Sequence, residues 1–232
     1  MSRYRNNEFV AFSELDGFGV IENRKSQAAQ AIKSQADDYI QNVNKVEYIE
    51  HLISEYSIQP LEIHSDQLSV SVEERMIPAE WHPSSFWVDS GKSYPKDVYT
   101  FHLPFTGDAQ LLKVRASTFS MSSPRIMVAG QEIRFEIINF NQEADAIKRE
   151  ADHIVSQLSS QNQYLTNDLT KFNGSLEAQL SQVFDARKAQ LLKKHDVISA
   201  LGIPVRKAAG TPSTFSVPAK RTPVIPSKPK PR

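Results

Sequence analysis

The chain contains no cysteine. That excludes disulfides, thiolate metal sites and a cysteine nucleophile. No stretch approaches the roughly 18 consecutive apolar residues that span a bilayer. The N-terminal MSRYRNNEFVAFSEL lacks the apolar run of a secretory signal. Together these absences predict a cytoplasmic protein without a membrane partner. Net charge is absent too, because 27 Lys and Arg balance 27 Asp and Glu. The balance conceals a pattern. From Pro204 to Arg232 there are seven basic residues and no acidic one, which leaves residues 1–203 with 20 basic and 27 acidic residues, a net −7.

What is present is periodicity, in three registers. Residues 1–22 carry scattered aromatics and weak periodicity, and read as an N-terminal arm. Residues 23–59 read as a helical segment, one helix or a pair, capped by Asn23. Its apolar face is Ala28, Ala29, Ile32, Ala36, Tyr39, Ile40 and Val43, continued by Val46, Ile49, Leu52, Ile53 and Tyr56. Asn42 and Asn44 mark a break, and Pro60 stops the pattern. Over residues 60–140 the period becomes two. Leu68, Val70 and Val72 alternate with polar residues, as do Tyr99, Phe101, Leu103 and Phe105, then Leu112 and Val114, then Ile133, Phe135 and Ile137. This predicts an antiparallel β domain with one buried and one wet face. Gly107-Asp108 and Ala129-Gly130 are its expected hairpin turns.

The longest pattern covers residues 141–203. Ile147, Ala151, Ile154, Leu158, Leu165, Leu169, Phe172, Leu176, Leu180 and Val183 form one apolar stripe at steps of three and four. Asn173-Gly174-Ser175 interrupts it, but the stripe keeps phase across the glycine. That favours a continuous coiled-coil-like helix over a hairpin. A helix this long calls for a partner helix, from another copy or from residues 23–59. Ile147, Ile154, Leu158, Leu165, Leu169, Phe172, Leu176, Leu180 and Val183 are accordingly the expected self-association residues of a homo-oligomer. Residues 204–232 hold seven of the thirteen prolines and read as a disordered basic linker. The fold class is α+β.

Chemistry is sparse. Ser90-Gly91-Lys92-Ser93 has the end of a phosphate loop, but Phe86 stands where the first glycine belongs, so a polar turn is expected. None of the six histidines is spaced as a zinc pair. Residues 60–139 contain no Glu-x-Lys tripeptide of the nuclease kind; Glu132-Ile133-Arg134 is the nearest. The expectation is no catalytic, metal or cofactor residue. Two weaker sites remain. Trp81, Phe86, Trp87 and Tyr94 could line a groove for a peptide or nucleobase, with aromatics plugging a loop onto the sheet as the plainer reading. Lys220, Arg221, Lys228, Lys230 and Arg232 could touch nucleic-acid phosphates non-specifically.

Several stretches together resemble a family of bacterial proteins that carry a C-terminal restriction-endonuclease-like domain and are grouped with restriction or phage defence. They are IPAEWHPSSFWVDSGKSYP, VYTFHLPFTGDAQLLKVRASTFSMSSPR, the run from DAIKREADHIVSQL to LGIPVRK, and the tail TFSVPAKRTPVIPSKPKPR. The resemblance covers roughly residues 50–232. It implies a non-catalytic accessory or oligomerisation module, regulatory or targeting in role, beside a nuclease partner or downstream domain. No catalytic residue of that family has a matching position here.

Overall fold

The computed structural model describes residues 8–141 and 143–200. It is an α+β body built along one helix. Strands β1 (Phe9–Val10) and β2 (Leu15–Asp16) lead into α1 (Gly17–Lys33), α2 (Asp37–Asn42) and α3 (Lys45–Tyr56). Then come β3 (Glu62–Ile63), β4 (Ser69–Pro78), β5 (Ser93–Thr106), β6 (Val114–Arg115), β7 (Arg125–Ala129) and β8 (Glu132–Ile138). Helix α4 (Ala144–Ala200) completes the described chain. The main sheet runs β1-β7-β8-β5-β3, every pair antiparallel, and β4 pairs β5 beyond the reach of β3. A separate parallel pair joins β2 to β6.

The helical start lies seven residues earlier than its sequence signal. Asp16, not Asn23, is the cap, and its Oδ2 accepts from the Gly19 N–H at 2.9 Å. Gly17 is buried against the backbone carbonyl of Arg115, and a β-carbon at this position would run into that carbonyl. Two glycines in the first turn are poor helix formers, and they hide the helix from a periodicity reading. Three helices form instead of one or two. The break at Asn44 is as expected, with Asn44 Oδ1 accepting from the Val46 N–H at 3.1 Å. A further break follows Lys33.

The β region departs from its pattern in one place. Leu111 and Leu112 do not alternate in a strand; Ala109–Lys113 is a 3₁₀ turn, capped by Asp108, that buries both leucines together, and only Val114–Arg115 is extended, as β6. Gly107 therefore ends β5 and does not turn a hairpin. Gly130 does turn one: its φ is 62° between paired Ala129 and Glu132.

Helix α4 runs unbroken for 57 residues, roughly 85 Å at 1.5 Å per residue. Its N-terminal half lies on the sheet. Leu158, Leu165 and Leu169 meet Leu103, Phe105, Ile126 and Ile133, while Ala151 meets Phe101, Phe135 and Ile137. Its C-terminal half packs on the helical head: Phe172, Leu176, Leu180, Phe184 and Leu191 meet Ala28, Ile32, Ile40, Tyr48, Ile49 and Leu52. Polar side chains on α4 pin the connectors. Asn173 pairs with both backbone groups of Ile58, at 3.0 and 2.9 Å. Asp168 accepts from the Ser117 N–H and hydroxyl at 2.7 and 2.8 Å. Arg187 donates to Gln35 O and Asp37 Oδ1.

Gly174 sits on the solvent side of α4, with open space where a β-carbon would go. Gly174→Ala is expected to stabilise the fold by about 0.5–1 kcal/mol through helix propensity and a less flexible unfolded chain. Urea unfolding followed by circular dichroism measures this. A loss of stability would mean that the chain turns at Gly174.

Candidate functional site

The sheet has two unlike faces, set by the strand register. Phe101, Leu103 and Phe105 of β5 point toward α4. Thr100 and His102 point away, beside Ser69 and Ser71 of β4 and Arg134 and Glu136 of β8. This outer face is a ladder of charged and polar pairs. Arg75 forms ion pairs with Glu73 at 2.9 Å and Glu136 at 2.7 Å. Ser71 Oγ lies 2.9 Å from His102 Nε2, and His102 Nδ1 lies 3.4 Å from Glu132 Oε2. His102 is half-buried in this network.

Serine, histidine and carboxylate in that order have the connectivity of a hydrolytic triad. The surroundings do not make one. Glu132 Oε2 also accepts from Arg134 Nε and Nη2, at 3.0 and 2.7 Å. Arg134 first, then His102, holds the Glu132 carboxyl below its usual range, so the carboxylate is shared with a permanent cation. Ser71 is in mid-strand, where backbone N–H groups lie in the plane of the sheet, not above the hydroxyl where an oxyanion forms. A fluorophosphonate probe is therefore expected to leave Ser71 unlabelled, and Ser71→Ala to leave ester hydrolysis unchanged. Stoichiometric labelling of Ser71, read by mass spectrometry, would overturn this reading.

The loop between β4 and β5 folds onto the same outer face. His82 is its hub, with ring centroids 5.0 Å from Phe140, 5.6 Å from Tyr94 and 6.3 Å from Phe86. Its Nδ1 lies 3.1 Å from the Pro78 carbonyl, which can only accept, so Nδ1 carries the hydrogen. Lys96 stacks over the Phe86 ring at 5.5 Å. Ile77 and Val98 are buried on this face. Backbone bonds close the base, with the Ala79 N–H on Lys92 O at 2.8 Å. Glu80 Oε1 accepts from the Gly91 N–H at 3.0 Å, and its own and the Gly91 backbone hold its carboxyl below the usual range. Lys92 pairs with Asp89 at 2.6 Å, and Gly91 has a φ of 78°. Ser90-Gly91-Lys92-Ser93 is thus a polar turn.

The expected groove is divided by this arrangement. Phe86 and Tyr94 pack inward against His82. Trp81 is 36% exposed and Trp87 is fully exposed at 104%. The four aromatics do not line a common pocket; the inner pair braces a loop that displays the outer pair. His82 and Phe140 were missed because each is a lone aromatic far from the other in sequence.

The self-association stripe is corrected. Leu158, Leu165, Leu169, Phe172, Leu176 and Leu180 are each no more than 3% exposed, covered by the chain's own sheet and helices. Ile147 and Ile154 pack partly against the sheet and Val183 against the head. The partner helices that the stripe calls for are α1 to α3 of the same chain. Lys220, Arg221, Lys228, Lys230 and Arg232 lie outside the described residues.

Comparison with protein-family models, curated proteins and solved structures found no match. The chemistry of the described residues therefore stands alone. Among them no group of three His, Asp or Glu is placed to hold a metal ion, and no helix is long and apolar enough to cross a membrane. Two shallow concavities mark the helical part of the described residues. One of about 470 Å³ is lined by Ser26, Gln30 and Tyr56, and one of about 300 Å³ lies between α1 and α4.

Proposed function

We propose that this chain is a non-catalytic docking module. Its place would be regulatory or targeting, within a nuclease-type system of the kind its sequence resembles. One observation carries the reading: Trp87 is wholly exposed on a loop whose base is closed and braced. A fully exposed tryptophan costs water-structured apolar surface for no gain in folding. A rigid loop presenting tryptophan loses little entropy on binding, and buried tryptophans dominate interface energies. The net −7 of residues 1–203 disfavours a nucleic-acid surface on the body itself.

The test is a photo-crosslinking amino acid placed at position 87 in the native host, with position 171 on the exposed side of α4 as control. A single adduct of defined mass at 87 and none at 171 is expected. No adduct at 87, or the same smear at both positions, would contradict docking through this loop.

A further inference from the structure

Strand β4 leaves a second surface uncovered, distinct from the tryptophan loop. It pairs only with β5, so one edge of a ten-residue strand is open among the described residues. On the α4 side of the sheet, α4 covers Phe101, Phe135 and Ile137 but stops short of this edge. Val70, Val72 and Met76 are consequently 50%, 53% and 63% exposed. They occupy alternate positions on one face, and Glu74 stands between Val72 and Met76.

Register places Glu74 directly opposite Asp97 of β5. Among the described residues neither carboxylate has a cation partner, whereas Arg75 on the opposite face is held by Glu73 and Glu136. Like charges directly opposed across two strands destabilise a sheet. A charged edge can serve simply to deter aggregation, but a single charge does that. Two opposed carboxylates, with exposed Val72 and Met76 on either side of Glu74, are complementary to one cation brought in by another chain.

We infer that β4 accepts an extended segment of a partner protein, which adds to the sheet as a further strand. Side chains in an added strand alternate with the same period of two. Those on the α4 side therefore face Val70, Val72, Glu74 and Met76 in turn. The segment has the pattern apolar-x-apolar-x-basic-x-apolar, read in either direction, its lysine or arginine meeting Glu74 and Asp97. The inference extends the docking reading but does not use Trp87.

A fluorescent peptide containing Val-Thr-Ile-Thr-Lys-Thr-Val serves as the probe, titrated against the full chain by anisotropy at low salt. The lysine peptide is expected to bind about tenfold tighter than its glutamate counterpart. Glu74→Lys combined with Asp97→Lys, both on the surface, should invert that preference, and Trp87→Ala should leave it intact. Circular dichroism confirms that each variant is folded. No binding at millimolar peptide, or equal affinity for both peptides, would overturn the inference. So would a concentration-dependent dimer abolished by Glu74→Lys, which would make a second copy the occupant. Loss of the position-87 adduct with retained peptide binding would sink the tryptophan-loop reading alone.

Discussion

Replacing Phe184 with alanine is expected to destabilise the fold by about 3–5 kcal/mol. Phe184 is fully buried, and its ring lies 6.2 Å from that of Tyr48 in the core shared by α4 and the helical head. Deleting it removes the transfer free energy of the ring and opens a cavity between helices that α1, α3 and α4 hold apart. Val183, one residue earlier, is only partly buried at the edge of the same core. Val183→Ala should cost about 1 kcal/mol or less. Urea unfolding of the two variants side by side reads the contrast. Equal losses would mean that Phe184 does not face this core.

Raising the pH from 9 to 12 is expected to weaken the wild-type chain by about 2 kcal/mol more than it weakens Tyr48→Phe. Burial is the first reason that the Tyr48 hydroxyl is pushed up to about 12, with repulsion from Tyr39 second. Tyr48 is 5% exposed, and its hydroxyl lies 3.4 Å from the Ala31 carbonyl. In the unfolded chain a tyrosine ionises near pH 10. The folded state thus retains a proton that the unfolded state loses between about pH 10 and 12. Stability from this group is fully present below pH 10 and is lost as pH rises toward 12. Tyr39 and Tyr56 in the same head are shifted upward too, each chiefly by burial, and add to the alkaline loss in both proteins. The measurement is denaturant unfolding at each pH. An alkaline loss identical in wild type and Tyr48→Phe would contradict the burial of this hydroxyl.

Much of this fold is legible in the sequence. The stripe on α4 keeps phase through Gly174, and the helix is continuous there. The sheet shows in alternation from Tyr99 to Phe105 and from Ile133 to Ile137, and these residues pair in β5 and β8. What misled was the inference from the stripe to a partner helix from another copy. From Phe172 to Phe184 the buried positions step by four three times. At roughly 100° per residue, those steps turn the stripe by about 120° around the helix. A coiled-coil seam holds a seven-residue repeat and does not turn in this way. All four of these residues lie against the helical head, so the stripe wraps around helices of its own chain. It also explains why Phe184, not Val183, is the buried residue.

Other features rest on contacts between distant parts of the chain and leave no local trace. The bracing of the tryptophan loop by Phe140 depends on a residue 58 positions after His82. The exposure of Val70 and Val72 depends on where α4 begins, which alternation within β4 cannot report. The Ser71–His102–Glu132 network exists only because β4, β5 and β8 are neighbours in this register.

Sedimentation equilibrium of the full chain, from micromolar to hundred-micromolar concentration, bears most directly on whether α4 is satisfied within its own chain. A single species at 26.2 kDa throughout is the expected result. It leaves the exposed surfaces of the sheet, not the stripe on α4, as the means of engaging a partner. A stable species of twice that mass, dissociated by substitution of Leu165 or Leu180, would contradict it and return α4 to the role of an intermolecular coiled coil.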